Sequence, residues 1–368
     1  MRRDRVFRFT VTAFVAGAFV GLICGLAFGG GQNTGTAAAI QDDSGAPAQE
    51  DTGSQAQETD PYAGEPMTAQ RAELTGSNEL GQVLVLVYYG ITAEEGETNT
   101  RTPDQFRDDL ALLESEGFYP VTVRELASGA IDIPAGKSPV VITFDQSSSG
   151  QYRMRDDGSL DPNCAVGIMQ SFVEAGYWEP KASFFCLLDV TPSDFELFGQ
   201  PEHQREKLLN LVAWGYEVGS HTLTNVDLGQ LPDDEVIRQL AQSQAILEDL
   251  IGSNYAVSSL SVPYGHYPQS SALLGGGEYD GTEYTYKAVL GLDGTLCPSP
   301  YSTKFAPLHI PRYTAEGDNI AAAIAYLKSH KALRYVSDGD PTSVSAPAEL
   351  DAALGQARDD LGRPVILY

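Results

Sequence analysis

The stretch that most limits how this chain can fold is Ser138-Pro139-Val140-Val141-Ile142-Thr143-Phe144-Asp145-Gln146-Ser147-Ser148-Ser149-Gly150. An unbroken apolar, β-branched run that stops at a carboxylate and a Ser/Gly turn reads as a strand buried on both faces. Such strands belong to parallel sheets, whose crossovers cover both faces with helices. Gln82 to Tyr89 repeats the pattern. Between these runs the spacing changes to that of amphipathic helices. Thr102-Pro103 places a cap and a proline in their favoured order, Phe106, Leu110 and Leu113 follow on one face, and Gly117 closes the segment. Thr122 and Glu125 have capping-box spacing. Ile237, Leu240, Leu247, Leu250 and Ile251 form one face of a helix expected over 232–251. Further helices are expected over 162–175, 201–214, 319–329 and 347–361. Strands are expected over 119–123, 182–188, 216–221, 257–262, 284–292, 309–313, 333–336 and 364–368. Strand and helix alternate throughout, which predicts a single α/β domain of barrel type.

That domain is expected over 79–368, and what precedes it has a different character. Residues 1–8 carry Arg2, Arg3, Arg5 and Arg8, and 9–28 are uncharged and mostly apolar. Twenty such residues can span a bilayer, and the basic flank keeps the N-terminus inside. The segment is expected to be a signal anchor, or else a long cleaved signal peptide. In either case the domain is exported: a single-pass cell-membrane protein facing outward, or a secreted one. Residues 29–78 are rich in Gly, Ala, Gln, Thr, Ser and acids, a composition that reads as a disordered acidic spacer. The net charge of −27 argues against nucleic acid as a partner. Cys164, Cys186 and Cys297 lie outside the apolar segment and lack Cys-x-x-Cys spacing, so they suggest neither a disulfide framework nor a structural zinc site.

In parallel α/β folds the functional groups sit at the carboxyl ends of strands. Three strand ends stand out: Thr143-Phe144-Asp145-Gln146, Ser220-His221-Thr222-Leu223-Thr224-Asn225 and Ser261-Val262-Pro263-Tyr264-Gly265. Each has a bland explanation. Asp145 could cap a turn, His221 could be a hydrogen-bonded core residue, Asn225 could shape a turn, and Tyr264 could be a core aromatic. His203, His266 and His330 have no motif around them.

In order and spacing the three segments resemble the NodB-homology polysaccharide deacetylases, the fourth family of carbohydrate esterases. Their motifs are T-F-D-D, H-[S/T]-x-x-H and R-x-P-Y. The resemblance runs from Val83 to Arg312 and includes Ala182 to Phe185 and Trp214 to His221. It implies a distorted (β/α) barrel and the hydrolysis of N-acetyl amide bonds, acting on chitin-like sugars, peptidoglycan or another acetylated polysaccharide. It also implies a divalent metal, zinc in the family, that polarises the acetyl carbonyl and activates water. Carried onto this chain, Asp145 takes the general-base position and His309 the late acid. His221 takes a metal position, Gln146 and Asn225 stand where the other two metal ligands should be, and Tyr264 lines the groove.

Gln146 and Asn225 are neutral amides in place of a carboxylate and an imidazole, a poor donor set for zinc. Ser261 stands where the family has the Arg that pairs with the base. With that Arg gone, the pKa of Asp145 is expected to rise. Three functions stay open: an exported deacetylase-like hydrolase with an altered metal site, a catalytically inactive domain that binds glycan or a cell-envelope partner, or a scaffold or wall-attachment protein whose barrel is only a rigid body.

Overall fold

The computed structural model describes residues 65–92, 99–189 and 195–368. The apolar run forms β3, Ser138–Asp145, with all eight residues buried. The other strands of its sheet are β1 (Leu84–Tyr88), β2 (Phe118–Val121), β4 (Ser183–Cys186), β5 (Glu217–Ser220), β6 (Ser259–Ser261), β7 (Ala288–Leu290) and β8 (Tyr313–Thr314). Every pairing in this sheet is parallel, in the order β7-β6-β5-β4-β3-β1-β8. One edge of β3 is shared. Its first half pairs β2 (Phe118↔Ser138) and its second half pairs β4 (Thr143↔Ser183). The sheet curls, because the chain just before β8 also bridges β7 at Leu290↔Ile310. The two ends of the sheet therefore meet in one short stretch, Ile310 to Thr314. This is the α/β fold with a curled parallel sheet that the strand–helix alternation predicts.

Alternation along the strands separates two cores. Leu84, Leu86, Tyr88, Val140, Ile142 and Phe144 pack in a cluster with the helices. Val83, Val85 and Val141 pack in a second cluster with Phe185, Leu290 and Ile310. By the same alternation Thr143 and Asp145 lie on the Val141 face. Gly219 in β5 shows how full that interior is. A Cβ there would come within 2.6 Å of the Phe185 ring and 2.7 Å of Ser259 Oγ. At the lower level, buried Glu217 accepts from Ser183 Oγ (2.8 Å) and Ser259 Oγ (2.7 Å).

The helices are α1 (Ala69–Thr75), α2 (Pro103–Ser115), α3 (Val123–Ser128), α4 (Ala165–Glu174), α5 (Gln204–Ala213), α6 (Asp233–Ile251) and α7 (Asn319–Ser329). The capping boxes at α2 (Thr102/Gln105) and α3 (Thr122/Glu125) are both formed. The short α1, with Ala72 buried, lies inside the expected spacer 29–78, so regular structure begins before residue 79.

Three expectations fail for physical reasons. The expected helix over 347–361 is a series of turns. There Gly355, at φ 78°, lies against Ser302, Thr303 and Lys304, and beyond one local turn at Asp351 the segment bonds across to Thr303 and Tyr301. The expected strand over 284–292 shortens to β7, because Thr282–Tyr284 turns back on Gly277–Tyr279 through Asp280-Gly281. Both turn residues are at positive φ, as a two-residue hairpin requires. The expected strand over 333–336 makes only isolated bridges. Cys164, Cys186 and Cys297 are buried free thiols. Among the described residues no helix is long and apolar enough to cross a membrane, and the apolar segment 9–28 lies outside them.

The ring of Phe144 stacks on Phe184 at 4.7 Å and contacts Phe106 and Tyr88 edge-on or tilted. Phe144→Ala should therefore cost roughly 3–5 kcal/mol. Urea denaturation should show a lower midpoint with an unchanged m value.

Candidate functional site

Asp145 ends β3 on the inner face and is only 1% exposed. A buried carboxylate needs compensation, and it comes from Arg312, just before β8. Arg312 Nη1 donates to Asp145 Oδ1 (2.8 Å) and Nη2 donates to Oδ2 (2.9 Å). Nη1 also donates to Thr143 Oγ1, Nη2 to Ser261 Oγ, and Nε to the Gly291 carbonyl. All five N–H groups of the guanidinium are thus used. Ser261 Oγ in turn donates to Asp145 Oδ2 (2.8 Å). The guanidinium lies over the Phe185 ring, 5.9 Å from its centroid.

This overturns one expectation. The serine at position 261 does not leave Asp145 without a cation, because a guanidinium reaches it from a different strand. Burial raises the Asp145 pKa, but the charge of Arg312 and the hydrogen bonds from Arg312 and Ser261 outweigh it. The net shift is downward from 3.8. Asp145 is held as a carboxylate.

His221 follows β5 and is 2% exposed. Its Nδ1 lies 3.9 Å from Asp145 Oδ2 and has no hydrogen-bond partner among the described residues. Burial depresses its pKa below 6.5 against the opposing pull of Asp145, so the ring is held neutral. Asn225 follows in the same turn, and its side chain and the Ser261 backbone favour the protonated ring. The turn is set by Gln239 of α6, whose Oε1 accepts from the amides of Leu223 and Thr224.

Backbone strain gathers at the same three strand ends. Gln146 (φ 73°), Ser147 (42°), Thr222 (67°), Asn225 (54°) and Tyr264 (60°) all sit in the left-handed region. Non-glycine residues there cost of order 1–3 kcal/mol each and cluster where function over-determines the backbone.

The predicted site residues do not all meet. Asp145 and His221 are together. Gln146 turns into a polar cleft of about 660 Å³ with Tyr89, Asn99, Ser148, Arg153 and Phe195, and neither His221 nor Asn225 lines it. Tyr89 links the two regions, since it lines the cleft and its phenol feels both Asp145 and Arg312. Tyr264 is 58% exposed beyond β6. His309 is exposed and stacks on Tyr267 at 4.6 Å in a second cavity, of about 450 Å³, with Asp293 and Lys304. No hydrogen bond or ion pair joins it to Asp145 among the described residues.

Sequence reasoning missed two residues of this site. Arg312 was legible only as the end of the resemblance. Gln151, fully buried, donates from Nε2 to the carbonyls of Tyr89 and Asp145 and so ties the ends of β1 and β3 together. No local pattern marks either.

The donor set does not suit the family's metal. His221 Nδ1 is an orphaned buried nitrogen, which favours a ligand. However, the carboxylate facing it is already engaged by Arg312, and the other two positions hold neutral amides. Among the described residues no three His, Cys, Asp or Glu side chains converge to hold a metal.

Arg312→Met should destabilise by roughly 3–5 kcal/mol, because it strands a buried carboxylate. Adding Asp145→Asn should recover part of that in urea denaturation. His221 gives a pH signature. Its folded pKa lies below 6.5, so the unfolded chain binds the extra proton and stability is lost as pH falls below about 6.5. The difference in melting temperature between the wild type and His221→Gln should therefore change across that range. A flat difference would mean that His221 titrates normally.

Residues 170–275 match the family model described as polysaccharide deacetylase. That span includes His221, Asn225, Pro263 and Tyr264, and excludes Asp145 and Arg312. No curated protein matches the sequence. Among solved structures the chain is similar to BC0361, a polysaccharide deacetylase from Bacillus cereus, at 18% identity over 66% of this chain and 69% of that one, with TM-score 0.49. It is also similar to the Streptococcus pyogenes deacetylase PplD in complex with acetate, at 18% identity over 66% and 98%, with TM-score 0.47. A third is IcaB from Ammonifex degensii, at 18% identity over 67% and 97%, with TM-score 0.48. The family match over 170–275 covers two of the three strand-end segments, Ser220 to Asn225 and Ser261 to Gly265, and makes this stretch of the chain similar to the polysaccharide deacetylases.

Proposed function

We propose that this domain binds acetylated polysaccharide or peptidoglycan at the carboxyl ends of its strands and does not hydrolyse it by the family's metal-assisted route. One observation carries the reading. Asp145 is buried, both its oxygens are taken by Arg312 and Ser261, and the next residue is the amide Gln146 instead of a second carboxylate. The cleft beside it suits a sugar: Tyr89 offers an aromatic edge, and Gln146, Ser148 and Asn99 offer hydrogen-bond partners. With residues 9–28 as an anchor and 29–78 as a spacer, the domain would work on the outer side of the membrane.

A second reading is favoured by the lowered pKa of Asp145. Arg312 keeps the carboxylate ionised, as a general base must be. On that reading the domain is a hydrolase of acetamide C–N bonds with an altered metal site.

Acetate release from acetylated chitooligosaccharides and peptidoglycan separates the two, with Asp145→Asn as comparison. Binding without release above that variant supports the first reading. Release that depends on Asp145 sinks it. Zinc dialysis of the purified chain should leave less than one bound equivalent. The double variant Gln146→Asp, Asn225→His should still not hold one tightly bound zinc equivalent, because position 146 turns into a cleft that neither His221 nor Asn225 lines.

A further inference from the structure

A second set of buried charges lies at the opposite end of the sheet. Glu79 precedes β1, and Ser337, bonded backbone to backbone with Gly136 and Lys137, sits beside the start of β3. Glu79 is 4% exposed and Asp338 2% exposed. Among the described residues neither carboxylate makes an ion pair with Lys, Arg or His. The contrast with Asp145 is direct: there a buried carboxylate has a guanidinium, and here two have no cation.

The surroundings are oxygen-rich. Glu79 Oε2 accepts from the Ser345 amide (3.0 Å), and Oε1 lies 3.4 Å from both the Asp338 amide and the Tyr335 hydroxyl. The Ser343 and Ser345 side chains approach the Asp338 carboxylate. Ser345 Oγ is held by Ser77 Oγ at 2.6 Å. Asp338 Oδ1 accepts from the Asp340 amide (2.7 Å). Two atoms remain without any hydrogen bond, Asp338 Oδ2 and Ser343 Oγ, on residues 2% and 4% exposed. Buried polar atoms without partners are rare and call for an explanation.

We propose that Glu79, Asp338 and Ser343, with Ser345 beside them, form a binding site for a hard cation, Ca²⁺ in particular. Every donor is oxygen, and there is no sulfur or imidazole, which excludes a preference for zinc or copper. Calcium accepts irregular mixtures of carboxylate, hydroxyl and carbonyl oxygens, whereas magnesium demands a near-ideal octahedron. A dication would neutralise the two carboxylates and give the orphaned Asp338 and Ser343 oxygens a partner. The loop that carries them reaches solvent at Gly339, Pro341 and Thr342, which gives the ion a way in. Its effect would be to pin this loop onto the chain before β1, at the end of the barrel away from Asp145.

Burial, with the Asp338 charge next, raises the Glu79 pKa to about 8.

The test is a melting curve of the purified full chain at pH 8, with calcium, magnesium or chelator, together with calorimetric titration of CaCl₂. The chain is strongly acidic, so weak surface binding is expected everywhere, and the comparison must be with variants. Wild type should gain roughly 5 °C at a hundredfold excess of calcium over its dissociation constant. Magnesium should give less. Glu79→Gln, which mimics the protonated acid, should melt at or above the metal-free wild type and lose the calcium response. Ser343→Ala should weaken calcium binding by about tenfold while folding normally. If wild type shows no calcium response beyond that of Glu79→Gln, or no saturable calorimetric heat, the proposal is overturned, and Glu79 is simply a buried neutral acid.

Discussion

The bidentate pair between Asp145 and Arg312 is the interaction on which the upper end of this sheet depends. The two residues lie 167 positions apart, and in the sheet β1 lies between β3 and β8. Two hydrogen bonds between them, with three more from the same guanidinium to Thr143, Ser261 and Gly291, connect β3, β6, β7 and β8. These are the strands that must curl together. A buried pair of this kind is weak evidence for net stability, because desolvation offsets the attraction. It is better understood as a device that specifies one closure of the sheet. Any slip of β8 by one residue would turn Arg312 to the other face and leave Asp145 uncompensated.

The same pair supplies the cation that Ser261 does not. The Arg312 guanidinium keeps the Asp145 carboxylate ionised, and it arrives from the stretch before β8 and not from the strand that precedes Pro263 and Tyr264. Among the described residues nothing similar brings a carboxylate or imidazole to Gln146 or Asn225. Gln146 turns into the polar cleft, Asn225 stays beside His221, and neither gains a carboxylate from elsewhere.

How far the sequence is legible follows from the range of the interactions. β1 and β3 are readable because both faces are buried and their central residues are apolar or β-branched. The capping boxes at Thr102 and Thr122 are readable because they act within three residues. Asp145 and His221 stand out because a polar residue at the end of an apolar run has few bland uses. Arg312, Gln151 and Gln239 are not readable, since each acts on backbone or charge that reaches it only through the tertiary fold. The segment 347–361 misleads for the same reason. Its composition permits a helix, but its hydrogen bonds go to Tyr301 and Thr303, and Gly355 must sit in the left-handed region against them.

The two ends of the barrel solve the same physical problem differently. A carboxylate taken out of water must be paired, protonated or bound to a cation. Asp145 is paired, and its pKa falls. Glu79 has no such partner, and its pKa rises. The pairing at Asp145 also explains why position 261 is serine. Arg312 already packs against both Asp145 and Ser261 with all its donors engaged. An arginine at 261 would bring a second guanidinium into a cavity with one carboxylate and no exposed surface. Serine gives that carboxylate a hydrogen bond without a charge, so Ser261 and Arg312 together satisfy one buried carboxylate, and removing Arg312 alone would leave it unpaired.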